Sequence, residues 1–134
     1  VYWSGTGNTQ AMAEAVMEGA KAGGAEAELL TASEFDASKM DSYDAIAFGC
    51  PAMGAEVLEE GEFQPMFDSV EGKLGGKRIG LFGSYGWGDG EWMRNWEETC
   101  RTAEAVLVCD SVTCNEVPDE DALNECRALG KALA

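Results

Sequence analysis

Val1-Tyr2-Trp3-Ser4-Gly5-Thr6-Gly7-Asn8-Thr9 opens the chain and decides its fold class. Val1, Tyr2 and Trp3 read as the end of a strand that stops at a glycine-rich turn, so the amino terminus is expected to be trimmed. From Asn8 to Ala22 small and apolar residues recur at helical spacing, and Gly23-Gly24 ends the pattern, glycine being free to take the left-handed cap conformation. A strand, a glycine turn and a helix in that order make an anion cradle. Glycines let successive N–H groups point inward, and the helix amino terminus adds partial positive charge. No Lys or Arg precedes Lys21, so a bound phosphate would rest on amides and on the Ser4, Thr6 and Thr9 hydroxyls. A Walker loop needs Gly-Lys-Ser/Thr, and the dinucleotide fingerprint needs a third glycine where this chain has Gln10. By itself the loop is also compatible with a plain turn carrying a Ser/Thr cap.

Outward from this unit, short apolar segments alternate with longer helical patterns. Residues 25–30 read weakly as a strand. Residues 45–48 and 77–82 are clearer strands, each ending at a glycine, and 103–112 is a β-branched run suited to burial on both faces. Helices are expected over 63–74, 90–101 and 119–133, with a short helical turn within 33–41. Strand and helix alternate without repeats or a low-complexity linker, which predicts one domain, residues 1–134, built on a doubly wound parallel sheet with helices on both sides. Such sheets bind ligands beyond the carboxyl ends of their strands. The three loops richest in glycine and aromatic residues, 4–9, 50–61 and 83–90, all fall at that edge.

The second loop, Cys50-Pro51-Ala52-Met53-Gly54-Ala55-Glu56, sets a methionine and a carboxylate around a glycine turn, and by itself reads more readily as punctuation before an acidic helix. The third, Gly83-Ser84-Tyr85-Gly86-Trp87-Gly88-Asp89-Gly90, puts two large rings on a flexible backbone. A flat aromatic ligand accounts for them, since ring stacking adds about 0.5–1.5 kcal/mol beyond area burial. Trp92 and Trp96, four apart on a helix, read as core.

Composition excludes several classes. Nine Lys or Arg against 25 Asp or Glu give a formal charge of −16, which opposes nucleic acid and anionic membranes and favours basic partners. The chain has no histidine, which removes histidine bases, histidine triads and the commonest metal ligand. Its five cysteines form no CxxC pair and are expected to be reduced and mostly buried. No apolar run approaches the roughly 18 residues of a membrane span, and no secretory leader is evident, so the expected location is the cytoplasm. Any chemistry is expected to belong to a cofactor.

Together, Trp3-Ser4-Gly5-Thr6-Gly7-Asn8-Thr9, Gly49-Cys50-Pro51-Ala52-Met53-Gly54 and Gly83-Ser84-Tyr85-Gly86-Trp87-Gly88 closely resemble the short-chain flavodoxins of anaerobic bacteria, and the likeness runs nearly the whole chain. The resemblance implies a five-stranded parallel sheet in order 2-1-3-4-5 and one non-covalent FMN. It puts the phosphate in the loop from Ser4 to Thr9 and the isoalloxazine between the Met53 loop and Trp87, with Pro51, Ala52, Ala55, Ser84, Tyr85, Gly86 and Gly88 lining the site. Glu56 corresponds to the carboxylate that accepts the flavin N3 hydrogen. The Gly54-Ala55 peptide corresponds to the one that rotates to meet the N5 hydrogen and stabilises the semiquinone.

The implied function is low-potential one-electron carriage, mainly between semiquinone and hydroquinone, with no substrate of its own. The second electron is disfavoured beside Glu56, Glu59, Glu60 and Glu62. If the reduced-state turn is type II with Gly54 and Ala55 at its centre, Ala55 takes positive φ at about 1–2 kcal/mol. On that condition Ala55→Gly raises the first reduction potential by roughly 40–90 mV. The six carboxylates between Glu56 and Glu71 are either a solvated face or a steering surface for basic redox enzymes such as ferredoxin-linked oxidoreductases or reductases. A monomer is expected, because a carrier must expose its flavin edge to different partners. An NAD(P)H-dependent flavin or quinone reductase shares this architecture but needs a nicotinamide pocket, and no basic 2′-phosphate clamp is evident. A phosphorylatable receiver domain needs acidic residues where this chain has Trp3-Ser4 and Cys50-Pro51.

Overall fold

The computed structural model describes residues 1–134. In chain order the elements are α1 (Asn8–Ala22), two 3-10 helices (Ala32–Glu34 and Ala37–Ser42), β1 (Ala45–Gly49), α2 (Phe63–Glu71), β2 (Arg78–Tyr85), α3 (Glu91–Thr102), β3 (Val106–Leu107), β4 (Val112–Asn115) and α4 (Glu120–Leu133). Every strand pair is parallel: β2 lies beside β1 from Ala45↔Arg78 to Gly49↔Phe82, and on its other side it pairs first with β3 and then with β4. This is an α/β fold with a parallel sheet covered on both faces.

The sheet departs from the sequence expectation in two places. The expected strand over 103–112 is two short strands, because the polar Cys109-Asp110-Ser111 step interrupts the ladder between β3 and β4. Pairing then resumes from Val112 and reaches Asn115, beyond the expected end. The first strand is reduced to Tyr2, bridged in parallel to Thr31 on one side and Gly49 on the other, and residues 25–30 are extended but unladdered. The ladders thus hold four strands, β3 and β4 together taking the place of the single strand expected over 103–112. Beside Val1 an apolar slot of about 820 Å³ separates residues 26–30 from Ala45, Ile46 and Ala47. The Val1 nitrogen lies 2.8 Å from the Ala47 carbonyl oxygen, within hydrogen-bond reach. This cavity lies at the end of the sheet away from the glycine-rich loops.

Alternation along β2 sorts the core. Ile79 and Leu81 belong to a cluster with Phe48, Phe63, Phe67, Trp92 and Trp96, under α2 and α3. Phe82 belongs to the opposite cluster with Met12, Val16, Cys126 and Leu129, under α1 and α4. Trp96 is core, as expected, its ring edge-on to Phe63 and Phe67 at centroid distances of 5.4 and 5.7 Å. Helices α1 and α4 touch backbone to backbone: a Cβ on Gly19 would stand 1.9 Å from the Arg127 carbonyl oxygen, and one on Gly130 would stand 2.0 Å from that of Val16. Neither contact can be relieved by a rotamer change.

No cysteine is in a disulfide; Cys50, Cys100 and Cys126 are buried, Cys114 is half-buried and Cys109 is exposed. Burial pushes the thiols of Cys50, Cys100 and Cys126 up to about 12. Two outcomes follow from this packing. Gly130→Ala should lower unfolding stability in urea by about 1–3 kcal/mol, the usual cost of forcing a methyl into a filled contact. Thiol labelling of the native chain at pH 8 should modify Cys109 first, with Cys50, Cys100 and Cys126 reacting only after denaturant is added.

Candidate functional site

The three loops meet at the carboxyl ends of the strands. In the first, the Gly7 amide donates to the Ser4 hydroxyl at 3.1 Å, and Gly7 caps α1 at φ 96°. The amides of Asn8, Thr9 and Gln10, the first three of α1, have no acceptor within the chain. Gly5, Thr6 and Gly7 are exposed, while Ser4 and Asn8 are half-buried. The first turn of α1 carries no acidic residue, so the free amides face the solvent with the helix dipole behind them. Thr9 is used differently from the expectation. Its side chain is buried, and its hydroxyl bonds that of Ser84 at 3.0 Å, tying the first loop to the third. The Thr9 amide is also without an acceptor within the chain.

In the second loop, Met53 and Val57 exchange two backbone hydrogen bonds, of 2.8 and 3.1 Å, around the three residues Gly54, Ala55 and Glu56. Positive φ falls on Gly54 (44°) and on Glu56 (58°) and not on Ala55. In this conformation the positive φ outside glycine falls on residue 56, within the turn closed by the Met53–Val57 pair, whereas the expectation for Ala55 concerns the reduced-state turn. Glu56 is only 9% exposed and its Oε1 meets no hydrogen-bond partner. Pro51, Ala52 and Met53 are half-buried, and Gly54 and Ala55 are exposed.

Glu59 is removed from the acidic surface. Its carboxylate accepts the amides of Gly61, Glu62 and Phe63 at 2.7, 2.7 and 2.8 Å, holding the start of α2. Burial alone would raise its pKa, but those amides, Phe63 first, hold it below the ordinary carboxylate value. Of the six acids between Glu56 and Glu71, four remain exposed: Glu60, Glu62, Asp68 and Glu71.

The third loop continues β2. The Ser84 carbonyl accepts the Ala52 amide at 3.0 Å, so one residue holds both neighbouring loops. Tyr85 is half-buried, its ring tilted against Trp92 at 5.5 Å. Gly86 is exposed, and Trp87 stands out at 65% exposure. Gly88 has φ 88°, with the Glu56 carboxylate lying over its α-carbon. Arg94 is engaged by Asp89 at 3.0 Å and supplies no free cation.

Two contributions escaped the sequence reading. Trp92 is core, as expected, but its indole N–H also donates to the Cys50 carbonyl at 3.2 Å, fixing the start of the second loop. A fourth loop follows β4: the Glu116 amide and the Asn115 side-chain amide both donate to the Tyr85 carbonyl, at 2.8 and 3.3 Å, and Val117 is 75% exposed. The polar Asn115-Glu116 step before Pro118 was its only signal in the sequence.

The residues fit a ligand with an anionic end and a flat ring. Free amides and small hydroxyls stand at one end and an exposed indole at the other. In the second loop, a buried carboxylate oxygen of Glu56 lacks the N–H donor that burial ordinarily requires. No group of three or more His, Cys, Asp or Glu is placed to hold a metal ion.

A family model described as flavodoxin matches residues 1–130. The flavodoxin of Megasphaera elsdenii is 45% identical over 134 residues, covering 100% of this chain and 96% of that protein. The flavodoxin of Clostridium beijerinckii is 42% identical with the same coverage. The solution structure of two-electron reduced Megasphaera elsdenii flavodoxin superposes with a TM-score of 0.90 at 44% identity, covering 98% of this chain and 94% of that one.

Thr9→Val leaves the buried Ser84 hydroxyl unpaired and should cost about 1–3 kcal/mol of stability. In a double-mutant cycle with Ser84→Ala the two losses should be clearly less than additive. Glu59→Ala should cost about 1 kcal/mol at pH 7 through loss of the cap. Because the folded chain holds the Glu59 proton less readily than the unfolded chain, that contribution is complete above about pH 5. It should vanish as pH falls through the lowered folded value, so the urea midpoints of the two proteins should converge in acid.

Proposed function

Because the chain belongs to the flavodoxin family, we propose that its FMN, the cofactor on which it carries electrons, is held by the three loops gathered at the end of β2. The observation that carries this assignment is the buried, unpartnered Glu56 carboxylate beside an exposed tryptophan. When bound, FMN supplies the redox chemistry, taking up and releasing electrons singly.

The chain's own residues bind, orient and tune. Ser4, Gly5, Thr6, Gly7, Asn8 and Thr9 take the phosphate through amides, with the Ser4 and Thr6 hydroxyls assisting. Pro51, Ala52, Met53, Gly54, Ala55 and Glu56 cover one face of the ring, and Ser84, Tyr85, Gly86, Trp87 and Gly88 the other. Glu56 accepts the imide N–H. With FMN bound, the exposed Gly54-Ala55 peptide would be the group placed to offer its carbonyl as an acceptor at N5. Glu56 and a protein charge of −16 would oppose added negative charge on a ring held there.

The finer reading of the fold is that residues 1–134 form one domain whose complete sheet runs 2-1-3-4-5, with the Tyr2 ribbon as strand 1, residues 25–31 as strand 2 and β3 with β4 as strand 5. The Tyr2 bridges to Thr31 and Gly49 support that order. Electron carriage implies redox partners. We assign these to basic-surfaced oxidoreductases and reductases met by a cytoplasmic monomer, with Glu60, Glu62, Asp68 and Glu71 contributing to the steering field. No helix is long and apolar enough to cross a membrane.

Titration of apoprotein with FMN should give one tight site with quenched flavin fluorescence, weakened about tenfold or more by Glu56→Ala; absence of saturable binding would overturn the assignment. Electron-transfer association with a basic partner should slow steadily as salt rises through the range where the screening length is near 10 Å. A rate independent of salt would remove the steering role.

A further inference from the structure

We propose that Gly88 is the positioning residue for Glu56: the missing side chain at position 88 is the niche that keeps the Glu56 carboxylate inside the site, where its acceptor faces the flavin imide. The inference rests on the FMN assignment above and concerns what holds the acceptor in place before any ligand arrives.

A Cβ on Gly88 would lie 1.8 Å from Glu56 Oε1, 2.6 Å from Cδ and 3.4 Å from Cγ. The carboxylate thus occupies the volume that any other residue at 88 would fill. Its backbone has little room to adjust, because the two Met53–Val57 hydrogen bonds clamp the turn and Glu56 itself is at φ 58°. A carboxylate oxygen buried without a partner is unfavourable and moves to water when it can. Glu56 remains only 9% exposed with Oε1 unpaired, so its surroundings hold it there. The clamped turn presses it inward and the bare α-carbon of Gly88 receives it. The obstructing atoms are the end of a flexible side chain rather than backbone. A methyl at 88 is therefore accommodated by expelling the carboxylate while the fold is kept.

Glycine at 88 has a second reason to be there, its own φ of 88°, and the same loop contains the control. Gly90 has φ 90°, yet a Cβ there would meet nothing nearer than Arg94 Nη1 at 3.8 Å. Alanine at 90 incurs the dihedral penalty alone, whereas alanine at 88 incurs it and displaces Glu56.

The test is FMN affinity, by fluorescence titration, of wild type, Gly88→Ala, Gly90→Ala, Glu56→Ala and the Gly88→Ala/Glu56→Ala double variant, together with the Glu56 side-chain carboxyl resonance of the ligand-free proteins. Gly88→Ala should weaken FMN binding about tenfold or more, with Gly90→Ala costing about threefold or less. In the Glu56→Ala background the further loss from Gly88→Ala should also fall to about threefold or less. FMN methylated at N3 should erase most of the difference between wild type and Gly88→Ala. The Glu56 carboxyl resonance should move toward that of a solvated glutamate in Gly88→Ala and stay in place in Gly90→Ala. Equal losses for Gly88→Ala with and without Glu56, or an unmoved Glu56 resonance, would overturn the inference. Failure of the wild type to bind FMN would fell the cofactor assignment instead, and the resonance would still decide the niche.

Discussion

Every loop of the site is anchored to two residues at the carboxyl end of β2, Ser84 and Tyr85. The Ser84 hydroxyl holds Thr9 of the first loop, and its carbonyl holds Ala52 of the second. The Tyr85 carbonyl holds Asn115 and Glu116 of the fourth loop, and its ring leans on Trp92, which in turn bonds Cys50. This hub lies on the one strand that pairs with every other strand of the sheet. Loops are ordinarily the softest part of a domain. Here four of them are tied to the stiffest, which is how a small chain holds an anion cradle and a ring site in fixed relation.

The site has little positive charge to offer. No basic side chain stands in the first loop, Arg94 is engaged by Asp89, and the chain as a whole carries −16. In the proposed site, binding an anionic cofactor in such a field would rest on short-range, directed donors, namely the unsatisfied amides at the start of α1. The same field makes further negative charge on the ring unfavourable. In the proposed site, phosphate donors and the charge that opposes full reduction belong to different parts of the chain, and any lowering of the second potential is matched by weaker binding of the fully reduced cofactor.

The sequence made local structure legible where local chemistry decides it. Helix α1 spans Asn8–Ala22 as read, because glycines bound it on both sides and its apolar spacing is unbroken. The parallel α/β class followed from alternation alone. Features fixed by distant partners were not legible: Thr9 and Ser84 are 75 residues apart, and nothing in either loop announces their bond. The positive φ at Glu56 depends on the Met53–Val57 closure, which only the folded turn shows. The break between β3 and β4 was misread because β-branched residues on either side masked the Cys109-Asp110-Ser111 step. Strand ends and composition located the three loops, but neither they nor the resemblance to flavodoxins gave the division of labour inside them, such as Glu59 capping α2 while its acidic neighbours stay in water.

The central claim is that these loops hold FMN as a one-electron carrier. Anaerobic reductive titration of the FMN-loaded protein, followed by visible absorbance, tests it most directly. The account predicts two separate one-electron steps, with a long-wavelength band rising and then falling as reductant is added. A single conversion from oxidised to fully reduced flavin, with no such band at any point, would contradict it.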